Sequence, residues 1–260
     1  MVRTSRWKVI RRIWVTFGIT FTILFNGWML FSSRAQGFDK KKVLSSDERV
    51  RIRESSEEIT FEPAAESAPA GLIFFPGAMV DPKAYAPLLR AVAEEGYEVV
   101  LVRLPLRQAP FESQEAEVVE RARLLMERDG GSRPWVIAGH SRGGVIACRV
   151  AATHPSLPAA MVLLGTSHPV DRDLSGLRFP VTKIYATNDG LATVKEVEAN
   201  RGKLPAATRW VKIEGGNHAQ FGWYGRQLGD DRAAISREKQ QARTIETLLG
   251  VLREVSASAP

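Results

Sequence analysis

Ser141 stands in Gly139-His140-Ser141-Arg142-Gly143, directly after the apolar run Trp135-Val136-Ile137-Ala138 and before a helical stretch, Val145 to Ala152. A strand, G-x-S-x-G and a helix describe a nucleophile elbow, in which small residues two before and two after let the backbone bend sharply around the serine. With 21 glycines in the chain the pattern alone is modestly specific, so its setting carries the assignment. A serine hydroxyl is a weak nucleophile at neutral pH and needs a base, with a third group to orient that base. Of the four histidines, His218 is the best-placed base, in Gly215-Gly216-Asn217-His218 beyond the last expected strand. His140 lies inside the elbow, where its side chain is expected to point away from the nucleophile. His154 ends the elbow helix, and His168 follows the next strand. The acid is expected after another strand: Asp189 in Asn188-Asp189-Gly190, with Asp171 and Asp173 as fallbacks.

An oxyanion needs two donors. The Arg142 N–H supplies one. The other falls in Pro76-Gly77-Ala78-Met79, with the Ala78 amide first and Met79 second. Met79, Phe111, Phe221 and Trp223 are candidates to line an apolar acyl pocket, Met79 and Phe221 foremost, though the same residues also suit a core. Arg103 and Arg107 read as a solvated loop more readily than as an anion site. The sequence carries no metal-ligand cluster and no nucleotide fingerprint, so neither metal nor cofactor is expected.

The elements that must position these groups follow from patterning. Val50 to Arg53 and Glu58 to Phe61 alternate with period two and read as a hairpin. Continuous apolar strands at Gly71–Phe75, Tyr97–Arg103, Ala160–Leu164, Val181–Ala186 and Arg209–Ile213 join the one before Ser141. Helices are expected over Pro82–Glu95, Gln114–Arg128 and about Asp231–Glu254. This order is that of an α/β fold, a mostly parallel sheet with helices on both faces. About 16 residues, Gly165 to Pro180, leave no room for a large lid.

The net charge of +7 and pI near 9.7 suggest an anionic partner until the charges are placed. Residues 1–42 hold nine of the 36 basic residues and, in Asp39, one of the 29 acidic ones, so the rest is nearly neutral. That argues against nucleic acid and for membrane flanks. Ile13 to Ser33 is a 21-residue stretch without charge, about 31 Å as a helix, with Trp14 and Trp28 near its ends. The expected division is a basic flank (1–12), a transmembrane anchor (13–33), a tether (34–47), a catalytic domain (48–255) and a tail (256–260). The rival is a cleaved signal sequence ending at Ser33-Arg34-Ala35, which would make the protein secreted. Five basic residues before the span face four after it, a slight bias toward a cytoplasmic N-terminus; an anchor of that orientation and a signal sequence both put the domain outside the cytoplasm. Cys148, the lone cysteine, reads as a buried thiol on the elbow helix.

Four segments together resemble the α/β-hydrolase superfamily, and within it the α/β hydrolase fold-5, dienelactone hydrolase-like group. They are Phe74 to Tyr85 (FFPGAMVDPKAY), Gly139 to Gly144, Thr187 to Gly190, and Gly215 to Gly222 (GGNHAQFG). They span roughly residues 70–225, and the chain to about 254 resembles the closing helix. The order Ser141, Asp189, His218 is that superfamily's order of nucleophile, acid and base. The resemblance implies hydrolysis of a small acyl substrate through a Ser-Asp-His triad. Dienelactone hydrolases proper use a cysteine where this chain has Ser141, so their own substrate is not implied. The competing reading is a membrane-tethered binding module that keeps the fold without activity.

Overall fold

The apolar runs become strands buried on both faces. In the computed structural model, which describes residues 6–64 and 68–258, eight strands form one sheet: β1 (Val50–Glu54), β2 (Glu58–Pro63), β3 (Gly71–Phe75), β4 (Glu98–Val102), β5 (Trp135–His140), β6 (Ala160–Leu164), β7 (Val181–Ala186) and β8 (Arg209–Ile213). Their spatial order is β1-β2-β4-β3-β5-β6-β7-β8. The hairpin β1–β2 and the pairing β2–β4 are antiparallel; every other pairing is parallel.

Alternation along each strand divides the core. Leu72 and Phe74, with Val136, Ala138, Val162 and Leu164, pack under α3 (Ala86–Glu94) and α7 (Arg237–Ser258). Ile73 and Phe75, with Ile137, Met161 and Leu163, face α4 (Glu112–Glu127) and α5 (Arg142–Thr153). Cys148 lies in this second layer, and burial pushes its thiol up to about 12.

Several boundaries differ from expectation. The helix expected at Pro82 begins as a 3-10 turn capped by Asp81, and α3 starts only at Ala86, beside Pro87. A short helix, α6 (Val194–Ala199), was not expected, although Thr193 and Glu196 form a capping box legible as T-x-x-E. Helix α7 starts at Arg237 rather than Asp231, because the backbone of 231–235 bonds the loops after β7 and β8 instead. The Asp231 and Arg232 carbonyls accept from Asn217 and Asn188, and Ala234 N–H donates to the Gly215 carbonyl. At its end α7 runs through residues 256–258, expected as tail.

Helix α1 (Arg6–Ser32) carries the uncharged stretch and extends back over the basic flank to Arg6; residues 1–5 lie outside the described residues. Its 27 residues are long and apolar enough to cross a membrane, and its most apolar stretch is buried nowhere by the rest of the chain. The following segment is no free tether. Ser32 and Ala35 are buried, Phe38 packs on Trp223, and Val43 and Leu44 lie against the core beside the one-turn helix α2 (Lys40–Val43). Arg90 bonds the carbonyls of Val43 and Ser45 and pairs with Asp47. Four apolar side chains in a polar-looking stretch, Ala35, Phe38, Val43 and Leu44, account for the docking.

Candidate active site

Ser141 closes β5 at φ 52°, ψ −114°, a left-handed geometry costing on the order of 1–3 kcal/mol for a non-glycine residue. Its N–H donates to the Leu164 carbonyl (3.0 Å), and its carbonyl accepts from Gly144 N–H (2.9 Å). The bend depends on its glycines: a Cβ on Gly139 would stand 2.1 Å from the Gly143 oxygen, and one on Gly143 1.9 Å from the Phe75 oxygen.

The loop after β8 delivers His218 and the loop after β7 delivers Asp189, both buried. His218 Nδ1 lies 3.0 and 2.9 Å from the two Asp189 oxygens. Asp189 Oδ1 also accepts from Leu191 N–H (2.9 Å) and Ala192 N–H (2.7 Å), which holds the carboxylate in a turn. With Nδ1 donating to the carboxylate, Nε2 is left as an acceptor. Nε2 is buried and makes no hydrogen bond, to Ser141 or to any other described group.

Asp171 and Asp173, the fallback acids, are exposed. Asp171 pairs with Arg172, and Asp173 accepts from Ser175 N–H. His168 neighbours Asp171 at 4.0 Å, and His154 caps the end of α5.

His140 is wholly buried and packs against His218. Its ring centroid sits 4.5 Å from that of His218, and its Nδ1 lies 2.8 Å from Tyr85 Oη. Tyr85 Oη accepts from Gly77 N–H (3.0 Å), so its own proton goes to His140 Nδ1. Burial, then the neighbouring His218, holds His140 well below its ordinary pKa, and burial pushes the Tyr85 hydroxyl up. A neutral His140 therefore packs beneath His218 without competing for a proton.

In the loop after β3, Gly77 N–H is thus committed, and Met79 N–H donates to the Arg107 carbonyl (2.8 Å). That leaves the Ala78 amide rather than the Met79 amide, and beside it the Arg142 amide at the start of α5. Neither donates to an acceptor among the described residues. The Arg142 guanidinium bonds the carbonyls of Gln108 (2.9 Å) and Ala109 (2.7 Å) and pairs with Glu115, tying the loop after β4 to the elbow. Arg103 pairs with Glu54.

The expected acyl-pocket residues separate. Met79 and Phe111 are exposed on loops at the carboxyl edge of the sheet. Phe221 is wholly buried against His140 (centroids 5.3 Å apart). Trp223 packs on Phe38 and beneath Arg237.

Sequence reasoning missed Asp230. Its carboxylate accepts from the N–H groups of His218 (3.1 Å), Ala219 (2.9 Å) and Gly190 (3.3 Å), clamping the acid loop to the base loop, and burial raises its pKa. Gly229-Asp230-Asp231 reads as an ordinary turn, so no local signal marked it. A polar cavity of about 550 Å³ opens beyond this clamp, lined by Asn217, Trp223, Asp230 and Arg237 among others; neither Ser141 nor His218 lines it. No group of three or more His, Cys, Asp or Glu side chains gathers as a metal site among the described residues.

Solved structures share this architecture. A dienelactone hydrolase from Anabaena variabilis is 16% identical, with 78% of this chain and 98% of that one covered at a TM-score of 0.60. A predicted CIB-like hydrolase from Thermoplasma acidophilum is 13% identical, covering 77% and 99% at 0.59. A ferulic acid esterase from Streptomyces cinnamoneus is 18% identical, covering 74% and 68% at 0.60. At such identities the likeness is one of fold. Comparison with curated proteins finds no match. The model of the alpha/beta hydrolase family matches residues 71–242, well over half of the chain and inclusive of Ser141, Asp189 and His218. With this match and the sheet order already described, the chain belongs to the alpha/beta hydrolase family.

Proposed function

We propose that the protein is a membrane-anchored serine hydrolase of carboxylic esters or related acyl compounds. The observation that carries the reading is the buried His218–Asp189 pair, with Nε2 left as an acceptor, one sheet edge shared with the elbow serine. Ser141 Oγ attacks the carbonyl while His218 Nε2 takes its proton, and the Ala78 and Arg142 amides bond the oxyanion. His218 then protonates the leaving group, and water, activated by the same imidazole, releases the acid from Ser141. Asp189 keeps the ring in the required tautomer and stabilises the imidazolium. Esters, thioesters and lactones fit this chemistry equally. Helix α1 holds the domain at the membrane, on the extracytoplasmic side by the basic residues that precede it. Burial of Ala35 against the body supports an uncleaved anchor, because cleavage there would cut a docked strand of chain.

A water-soluble fluorophosphonate tests the chemistry. The wild type takes the label on Ser141, and Ser141→Ala takes none and loses several orders of magnitude in kcat. Wild-type protein that resists the probe would instead be the inactive binding module. An intact N-terminus by mass spectrometry, rather than a chain starting at Gln36, checks the anchor.

A further inference from the structure

The uncharged stretch of α1 matches the hydrocarbon thickness of a bilayer, about 30 Å, only if it is used nearly to its end at Ser33. The same last turn is already part of the domain. Gly225 N–H donates to the Ser32 carbonyl (2.7 Å), Ser32 Oγ bonds the Arg226 carbonyl, and Asp81 N–H donates to the Ser33 carbonyl (2.9 Å). No linker separates span from enzyme, so the loops at Ala78–Asp81 and Gly225–Leu228 stand at the membrane interface. Arg34 and Lys40 to Lys42 are exposed just beyond the helix, where basic side chains suit anionic headgroups.

A small apolar groove lies at this junction. Met29 and Ser32 form its helix wall, Ala78 and Met79 its oxyanion-loop wall, and Leu228 its rim. Its volume of about 50 Å³ takes only a few carbon atoms. Met79 and Leu228 are 47% and 58% exposed, a poor arrangement in water but a natural one against lipid.

We infer that the substrate is a bilayer-resident ester, whose acyl chain reaches Ser141 along the last turn of α1. The inference rests on the serine-hydrolase and anchor readings above. The carbons next to the carbonyl occupy the groove beside Ala78, and the rest of the chain stays in the bilayer against α1. The ester C–O bond breaks as the acyl carbon bonds Ser141 Oγ. The serine proton passes through His218 to the leaving alcohol, and water completes hydrolysis.

Full-length protein reconstituted in phosphatidylcholine vesicles is treated with two probes, a short-chain fluorophosphonate in water and a hexadecyl fluorophosphonate held in the bilayer. Both are expected to label Ser141, read by peptide mass spectrometry. Leu228→Glu, which places a charge on the groove rim, slows the bilayer probe by roughly tenfold or more relative to the soluble one. Met29→Trp, which fills the groove from the helix side, does the same. Labelling by the soluble probe alone overturns the inference and leaves the serine-hydrolase reading intact. Labelling by neither overturns that reading and the inference with it. An unchanged ratio of the two rates in both variants overturns the groove as the path.

Discussion

Asp189→Asn separates the proposed triad from a merely structural His–Asp contact. Asp189 Oδ1 accepts from the Leu191 and Ala192 amides, so an asparagine keeps its carbonyl oxygen there, where an NH2 group would meet two donors. Its NH2 then takes the place of Oδ2, 2.9 Å from His218 Nδ1. Nδ1 then faces the NH2 donor at 2.9 Å, while the amide oxygen 3.0 Å away is already shared by two backbone donors; an accepting Nδ1 is favoured, and the ring proton on Nε2 blocks transfer from Ser141. Restoring the reactive tautomer sets two donors against each other in a buried site, at a cost of about 2–3 kcal/mol. Loss of the charge-assisted bond to the imidazolium adds about 1.5–3 kcal/mol. Together these amount to about 4–6 kcal/mol, or roughly 10³–10⁴-fold in kcat, the same order as in other Ser-His-Asp triads. Initial rates on p-nitrophenyl acetate measure it, with KM and melting temperature followed separately. Asp171→Asn and Asp173→Asn, at exposed carboxylates, are expected to stay within about twofold of wild type. An Asp189→Asn enzyme that keeps more than about a tenth of its kcat would refute the tautomer argument.

Three further outcomes are expected. Tyr85→Phe leaves Gly77 N–H and His140 Nδ1 buried without a partner; it should cost about 1–3 kcal/mol in urea unfolding and lower kcat on a short ester, since the adjacent Ala78 amide loses its support. Lys183 is buried in the middle of β7 with its pKa pushed by burial from 10.5 to about 8. Between those values the unfolded chain holds the proton that the fold has lost, so wild type should gain up to about 3 kcal/mol over Lys183→Met as pH rises from 8 to 10.5; parallel pH–stability curves would contradict this. A chain beginning at Val43 should be less stable than one beginning at Arg34 by about 2–3 kcal/mol, because it lacks Ala35, the Phe38–Trp223 contact and the Gln36 N–H bond to the Trp223 carbonyl; equal unfolding midpoints would restore the free-tether reading.

Local signals carried the scaffold. Gly71–Phe75 and Ala160–Leu164 form strands with the expected boundaries, because unbroken apolar runs bounded by turn residues suit a sheet covered on both sides. Val181–Ala186 and Arg209–Ile213 keep theirs too, although Lys183 interrupts the first and the exposed Arg209 and Lys212 mark the second as the edge strand. The sharp bend at Ser141 was legible because its steric demands are met within five consecutive residues. His218 and Asp189 were legible as loop residues after strands, a matter of chain order.

Whatever depends on which loops meet was settled only in three dimensions. The choice of Asp189 over Asp171 and Asp173 as the neighbour of His218 follows from the β7–β8 pairing, which brings their loops together across 29 residues. Residues 231–236 look helical in isolation, but the side chains of Asn188 and Asn217 claim their carbonyls, and tertiary hydrogen bonds outweigh a weak local preference. Phe221 carries the same apolar pattern whether it faces a substrate or the underside of His140; only packing assigns it to the core. The chain after α1 reads as polar by composition, while the few apolar side chains within it find partners on Trp223 and the core. Sequence therefore determined the strands, the bend and the membrane-length helix, each set by interactions within a few residues. Tertiary structure decided the pairing of Asp189 with His218, the Asp230 clamp and the seating of α1 beside the loop after β3, because each joins groups that the chain itself keeps far apart.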